Sequence, residues 1–439
     1  MLEQRIHQSK TLRSAYERIV GDDDARFCGE ISDSACREVP GNFFITLAAN
    51  FLTKLGDALI DAKTVLPWML GVMGAPAVFI GLLVPIRESG SLLPQMFIAG
   101  WIRRLALRKW VWIAGSVVQG LCILAMLLIA LRLHDLAGGL ALIIALVAFS
   151  LARGFSSIAA KDVLGKTIPR KRRGRVTGLS ASLAGVVTLV AGTLLMFDGS
   201  LGRQDPLLVL FLVGATAWFL AALIFCLVRE QPGETDGGAS LISGGLKKFR
   251  LLKTDIAFRD LCITRGLMLS SALSAPYYVA IAREQTDSLS LLGLLVVATG
   301  AAGLLSGYFW GALADRSSRQ VLVISAGLTA VSGIAVFCLE RFWISSPGWL
   351  YVLAFFFLAV VHNGVRLGRK TYVVDMARGN LRTDYVATGN TLIGILLLLS
   401  GSLSFLTFLF DAADMVLILA LLAGTAMLFA RRLPEVTDS

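Results

Sequence analysis

The sequence predicts an all-α, polytopic membrane protein with twelve transmembrane helices in two six-helix, pseudo-symmetric halves. Of the 439 residues, 56% are hydrophobic and only 16% are charged, and the mean hydropathy is +0.73. A soluble domain of this length is less apolar. The apolar residues fall into twelve stretches, each close to the roughly 20 residues that a helix needs to cross a bilayer. The 41 Lys and Arg residues are concentrated in alternate loops.

Short polar loops separate the predicted spans, and a longer polar linker divides them into two sets of six. The spans are expected near 43–65, 75–101, 110–131, 138–160, 174–197, 206–228, 258–281, 289–313, 321–339, 349–371, 385–410 and 413–430. The chain then divides into a cytoplasmic N-terminal tail (1–42), a first half (43–229), a cytoplasmic linker (230–257), a second half (258–432) and a C-terminal tail (433–439). The matching layouts predict parallel repeats related by an axis along the membrane normal.

The distribution of positive charge predicts the orientation of the chain. The loops of the minority parity hold only Lys63, Arg132, Arg203, Arg283 and Arg341. Because cytoplasmic loops retain Lys and Arg, both termini and the linker are predicted to be cytoplasmic. The net charge of +11 follows from this bias, so nucleic acid is not expected as a partner. Short loops without an Asn-x-Ser/Thr site favour a bacterial inner membrane.

A pair of charged residues recurs at the ends of two spans. Span four ends with Arg153 and, nine residues later, Asp162, and span ten ends with Arg366 and Asp375. The recurrence supports two repeats in the chain. A structural ion pair that closes the inner face and a contact with substrate are equally consistent with it.

The loop between spans eight and nine carries the most specific motif, Gly311-Ala-Leu-Ala-Asp315-Arg316-Ser-Ser-Arg319. It resembles the short cytoplasmic loop of the major facilitator superfamily, whose pattern is Gly, three residues, Asp, Arg and a further basic residue. A carboxylate gains from the dipole at a helix N-terminus. We therefore expect Asp315 beside the N-terminus of span five, near 174–178.

The corresponding loop of the first half fits the same pattern less well. It contains Gly100, but Arg104 stands where the family has its Asp. For this half, a plain positively charged loop is favoured over a working gate.

Two further features carry the resemblance, which extends over nearly the whole chain after residue 42. Arg153 is similar to the buried arginine of the family's fourth helix. The run Pro276-Tyr277-Tyr278 in span seven looks like the hinge and aromatic plug of the family's outer gate, and aromatic anchors at the outer membrane interface are the alternative. The resemblance implies transport by alternating access, in which two halves rock about a central site.

Ionisable residues inside the spans are the candidates for that site, because such groups are costly in a bilayer and usually face a cavity or each other. The candidates for substrate or ion binding are Lys54, Asp57, Arg87, Glu88, Arg153, Arg265, His362 and Arg366. Lys54 and Asp57 share one helical face, so a mutual ion pair is the alternative for them. Glu88 is the first candidate for a proton-coupling carboxylate, and His362 is either a proton carrier or a packing residue.

The same residues indicate the charge of the substrate. Cations outnumber carboxylates within the spans, and a buried cation without a partner is costly. An organic anion is therefore the expected substrate, unless Asp162, Asp375 or backbone carbonyls neutralise the arginines.

No motif predicts catalysis, a metal or another cofactor. The sequence has no Walker loop, no cluster of metal ligands and no nucleophile with a nearby histidine, since the histidines are His7, His134 and His362. The predicted function is secondary transport of a small solute, with the lipid bilayer as surroundings and a proton as candidate coupling ion. The alternatives are a lipid or lysolipid flippase of the same fold and a non-transporting membrane sensor or assembly subunit.

Overall fold

The computed structural model describes residues 14–18, 33–93, 98, 101–102, 104–196, 206–233, 235, 251–285, 288–343, 347–376 and 381–436. These residues are predominantly helical, which confirms the predicted all-α membrane protein. Nine helices in this part of the chain are long and apolar enough to cross a membrane. Predicted spans one, two and seven are not among these nine helices, and they contain helix breaks or several charged residues.

The helices follow the predicted order of spans. Span one comprises Asp33–Leu59 and Val65–Val72, span two Val78–Leu92, span three Lys109–Arg132, span four Asp135–Thr167, span five Arg170–Met196 and span six Pro206–Phe225. After a turn of helix at Leu251–Thr254, span seven comprises Ile256–Leu267 and Ser270–Gln285, span eight Leu289–Arg316, span nine Ser318–Phe342, span ten Gly348–Met376, span eleven Leu381–Ser400 with the 3-10 helix Gly401–Phe408, and span twelve Ala412–Arg432.

Two ends of the helix bundle can be distinguished. We call the end at which span one begins and span twelve ends the basic face, because it also carries most of the Lys and Arg. The other end is called the opposite face. The first helix begins at Asp33, ten residues before the predicted span, and continues through Pro40.

Span one is discontinuous, and this corrects the predicted loop position of Lys63. Its first helix ends at Leu59, and a second helix, Val65–Val72, continues toward the opposite face. There Gly74 turns the chain with a φ of +70°, and the carbonyl of Met73 accepts a hydrogen bond from the first residue of span four at 2.8 Å. The charges at 61 and 63 interrupt the apolar run, so the sequence pattern ends the span too early. Lys63 lies in a break inside the bundle.

Span seven is discontinuous as well. Helix Ile256–Leu267 is followed by a turn at Met268 and Leu269, and helix Ser270–Gln285 begins after this turn. Spans one and seven are the first spans of their halves, so each half opens with a broken helix. Broken helices inside a membrane leave backbone groups free, and they are tolerated where protein or a cavity surrounds them.

The two halves meet at the opposite face and separate at the basic face. Spans five and eight pack backbone against backbone where they approach the opposite face: a Cβ atom added at Gly192 would lie 2.9 Å from the carbonyl oxygen of Gly293. Nearer the basic face on the same two helices, a Cβ at Gly178 or at Gly311 would have no described atom within 4 Å. The interior between the halves is therefore open toward the basic face in this conformation.

This packing predicts different effects for two glycine substitutions on one helix. Gly192→Val should lower the melting temperature of the purified protein, because overpacking of a close contact costs roughly 1–3 kcal/mol. Gly178→Val is the matched control and should leave the melting temperature nearly unchanged, since open space surrounds it. Equal losses of stability in both variants would contradict the described separation of spans five and eight.

Each half is also tied together at the basic face by a glutamate that follows its last span. The carboxylate of Glu230 accepts the backbone N–H groups of Arg108 and Lys109, at 3.1 and 2.7 Å, at the start of span three. Glu435 accepts the hydroxyl of Ser317 at 2.7 Å and pairs with Arg319 at 3.3 Å, at the start of span nine. A carboxylate at a helix N-terminus is favoured by the dipole. The equivalent positions support two repeats.

Candidate functional site

A cavity of about 540 Å³ lies on the first-half side of the space between the halves. Its wall is polar and charged, with Thr46, Asn50, Thr53, Lys54, Asp57, Gln119, Arg153, Ser156, Ser157, Lys161, Thr177 and Lys370 among its lining residues. Trp112, Trp218 and Phe225 form an aromatic part of the wall. Ligand sites are usually concave surfaces of this size with a few placed polar groups. Three of the predicted site residues, on spans one and four, therefore face one cavity.

Asp57 binds two arginines at once. Its Oδ1 accepts Nη2 of Arg87 at 2.9 Å, and its Oδ2 pairs with Nη1 of Arg153. The guanidinium group of Arg87 also lies over the ring of Phe149, 4.8 Å from its centroid. Three predicted residues from spans one, two and four thus form one ion cluster, in which a single carboxylate faces two cations.

Lys54 does not pair with Asp57. Its ammonium group donates to the backbone carbonyl of Thr177, on span five, at 3.0 Å. The mutual ion pair considered for these two residues is therefore not formed. Lys54 instead forms a hydrogen bond between span one and span five beside the cavity.

Lys63 and His362 form a hydrogen bond across the two halves. Nζ of Lys63 lies 2.9 Å from Nε2 of His362, and Nδ1 of His362 lies 3.0 Å from the hydroxyl of Ser271. Because an ammonium group can only donate, Nε2 accepts and Nδ1 carries the proton. This bridge joins the break in span one to span ten and to the start of the second helix of span seven. Lys63 was missed as a site residue because its run of sequence resembles a loop.

Glu88 is the acidic residue of span two that faces these cations. Its carboxylate makes no hydrogen bond or ion pair with any residue in the described ranges. It lies within electrostatic range of cations from both halves: Lys63, Arg87, Arg153, Arg366, Arg369 and Lys370. Asp61 is also within range. A carboxylate held by the field of many cations, and by no fixed partner, can exchange one cationic neighbour for another when the halves move.

Arg265 is the most deeply buried of the predicted cations, with 5% of its surface exposed. Its Nη2 donates to Oδ1 of Asn390, on span eleven, at 3.1 Å. Its Nε and Nη1 are buried and have no hydrogen-bond partner among the residues that the structure describes. Unsatisfied donors of a buried charged group are costly. The position just before the break in span seven therefore holds an incompletely satisfied cation.

Span ten supplies further cations without a carboxylate partner. Arg366 is exposed and Arg369 is half-buried, and neither forms an ion pair within the described part of the chain. Arg369 lies within electrostatic range of Arg265. Asp162 does not neutralise Arg153, because it pairs with Arg108 and Lys166. Asp375 is exposed. Arg369 was missed as a candidate, although it follows Arg366 by one helical turn on the same face.

The two tyrosines of span seven are buried, with 3% and 0% of their surface exposed. Tyr277 packs over Gly81 of span two, in the other half. The hydroxyl of Tyr278 lies 3.0 Å from Oγ of Ser332, on span nine of its own half. Pro276 lies inside the helix just before them. Burial disfavours interfacial anchoring, and Tyr277 is placed where the halves meet at the opposite face.

The loop motif between spans eight and nine does not lock the basic face in this conformation. Asp315 and Arg316 are exposed, and Asp315 makes no hydrogen bond or ion pair with a residue of the described ranges. The expected capping of span five by Asp315 is therefore not formed, and Gly311 faces open space. Arg319 instead binds Glu435. In the first half, Arg104 is exposed, and Gly100 lies outside the described residues.

Comparisons with known proteins find likeness in structure and not in sequence. No family model and no curated protein matches the chain. Solved structures that resemble it include a D-xylose–proton symporter, with a TM-score of 0.67 and 14% identity over 90% of this chain and 98% of that one. The nucleoside transporter NupG gives a TM-score of 0.68 and 12% identity, over 89% of this chain and 99% of that one.

A peptide transporter, POT, is similar to the same degree, with a TM-score of 0.68 and 11% identity over 94% of this chain and 97% of that one. At identities this low, the likeness concerns the fold. The chain shares the fold of these three transporters over nearly its entire length.

Proposed function

We propose that the chain is a secondary active transporter, which moves a small organic anion across a membrane by alternating access and uses a proton as its coupling ion. The excess of cations between the halves carries this proposal. Lys63, Arg265 and Arg369 are partly or fully buried and lack a carboxylate partner within the described residues, as does the exposed Arg366, whereas Asp57 serves both Arg87 and Arg153. Charge removed from water requires compensation. An anionic solute entering from the basic face would supply it.

The conformation supports a transport cycle. The halves touch at the opposite face through Gly192, Gly293 and Tyr277, and they part near Gly178 and Gly311. Alternating access requires a second state in which the contacts are exchanged between the two faces. The exposed Asp315 and the open end of span five would come together in that second state.

The orientation and the division of the chain are part of the proposal. We propose that the basic face is cytoplasmic, because Lys and Arg are retained on that side. Both termini and the linker at 230–257 are then cytoplasmic, between halves at 43–229 and 258–432, in the cell membrane of a bacterium. The solute would enter the described cavity from the cytoplasm.

The two alternative functions require different cavities. A lipid or lysolipid flippase needs an apolar cavity that opens sideways to the bilayer, and the polar, charged wall here favours a water-soluble solute. A non-transporting sensor would keep the fold, but the contacts between its halves would not move from one face to the other. The altered first-half loop at Arg104 is the feature that favours it.

Counterflow in proteoliposomes tests the proposal. Thermal-shift screening of the purified protein first selects ligands, because a solute that binds only the folded state raises its melting temperature. We expect exchange of a carboxylate or phosphate ester and no exchange of neutral sugars. Arg366→Gln should slow that exchange about tenfold, which is the loss of one charge-assisted hydrogen bond. Arg104→Gln removes the same charge from an exposed loop and should have little effect.

Three results would overturn the proposal. Exchange of neutral or cationic solutes alone would rule out an anionic substrate. Movement of labelled lipid across the bilayer would establish a flippase. Binding of a ligand without any exchange would favour a sensor.

A further inference from the structure

We infer that the anionic group of the solute binds at the break in span seven, on the guanidinium group of Arg265 and within the electrostatic range of Arg369. This inference rests on the proposed function and adds the location of the ligand and the chemistry that recognises it. The ligand class is an oxyanion with at least two oxygens, such as a carboxylate or a phosphate.

The first half shows how this fold holds two half-buried arginines on one carboxylate. Arg87 and Arg153 come from different spans, and each donates to a different oxygen of Asp57. A planar carboxylate suits this arrangement, because each of its oxygens can accept from one guanidinium group. In the first half, the chain itself provides the oxyanion.

Among the described residues, the second half has the arginines without a carboxylate partner. The Nε and Nη1 atoms of Arg265 have no hydrogen-bond partner among the described residues, and only 5% of the surface of this residue is exposed. Arg369 lies within electrostatic range of Arg265. The residue that does bind Arg265 is Asn390, a neutral amide. A fully buried guanidinium group with two free donors needs an acceptor that brings negative charge. We assign that role to the solute.

The break in span seven gives the site a second feature that favours an anion. Helix Ser270–Gln285 starts five residues after Arg265, and the N–H groups of Ser271, Ala272 and Leu273 already bond to the carbonyls of Met268 and Leu269. Ser270, the first residue of this helix, has a buried hydroxyl without a partner in the described part of the chain. Unpaired donors thus occur on both sides of the break.

In this conformation the unbonded donors of Arg265 are covered by protein. A Cβ atom at Gly389 would lie 2.8 Å from Nη1 of Arg265, so the backbone of span eleven packs against this donor. Lys370, the neighbour of Arg369, lines the cavity. A solute in the cavity would therefore meet the cations of span ten first, and it would reach Arg265 once a movement of span eleven uncovers the guanidinium group.

Equilibrium binding of inorganic phosphate and of acetate to the full-length protein tests the inference. The protein is purified in a detergent without phosphate groups, and binding is measured by isothermal titration calorimetry with chloride as the comparison ion. We expect Arg265→Gln and Arg369→Gln each to raise the Kd of the oxyanion at least about tenfold. The control Arg104→Gln should change it less than about twofold, because its charge is distant and exposed.

Asn390→Asp is the sharpest variant, because it retains every arginine and places a carboxylate beside Nη2 of Arg265. It should weaken oxyanion binding at least about tenfold and raise the melting temperature of the ligand-free protein, as expected when an internal partner replaces the ligand. It also keeps the inference testable if Arg265→Gln does not fold.

The inference is overturned if phosphate and acetate bind no more tightly than chloride, or if their Kd is unchanged in Asn390→Asp and Arg369→Gln. Because binding needs no transport, the outcome is separate from counterflow. Arg265-dependent binding without counterflow would refute the proposed transport and leave the site standing.

Discussion

Asp57→Asn is expected to abolish counterflow and to destabilise the folded protein by roughly 1–3 kcal/mol, the cost of leaving partly buried charged donors without their acceptor. The carboxylate is the shared acceptor of Arg87 and Arg153. Asparagine keeps the size of the side chain but removes its charge, so it leaves two cations in the membrane interior. The melting temperature and the counterflow rate of the purified variant measure the two effects.

Arg153→Gln is the matched comparison at the same cluster. It leaves Asp57 paired with Arg87, so the cluster becomes neutral, and we expect a clearly smaller loss of stability. The double variant Asp57→Asn/Arg153→Gln should recover part of the stability lost in Asp57→Asn, because one cation without a partner is removed. Stability losses that simply add in the double variant would show that Asp57 and Arg153 are not coupled.

Glu88→Gln is expected to stop uphill accumulation driven by a proton gradient and to leave counterflow of the solute active. Glu88 lies near cations of both halves and has no direct partner among the described residues, so a movement of the halves would change its charged neighbours and with them its affinity for a proton. Glutamine has similar size and cannot carry the proton. The dependence of transport on external pH should accordingly become flat.

Two controls define this result. Glu340→Gln, in the described part of span nine, removes a carboxylate that binds Tyr351 and Gln285 and should keep accumulation intact. His362→Gln tests the hydrogen bond between Lys63 and His362. If His362→Gln abolishes the pH dependence of transport and Glu88→Gln does not, the proton-coupling group is the pair of Lys63 and His362 and not Glu88.

The sequence was sufficient for the number and order of the spans, because a bilayer imposes both length and apolarity on a helix. It was also sufficient to select Asp57, Arg87 and Arg153, which the structure brings into one cluster. Charged residues are rare enough in spans that each one is informative. Which of them would meet could not be predicted, since Asp57 had a nearer cation in its own helix at Lys54.

The breaks in spans one and seven could not be predicted in the same way. The charges around Lys63 look the same in a loop and in an interrupted helix. Span seven is broken after Leu267, next to Gly266, whose carbonyl accepts the N–H group of Leu269 at 3.2 Å. Glycine is common in membrane spans, so it does not by itself predict a break. Such breaks follow from packing against other spans, as in the contact of Ser271 with His362, and local sequence does not record these contacts.

The broken first span has a mechanical consequence. Helix Val65–Val72 belongs to the first half by sequence, yet Lys63 just before it binds His362, and Arg283 of span seven packs against its Trp68 and Gly71. In the proposed rocking motion, the rigid bodies would then not coincide fully with the two repeats, because this short helix contacts the second half along its length and span four at Met73. Residues 60–64 would form a joint, and the angle at that joint would limit how far the halves can turn.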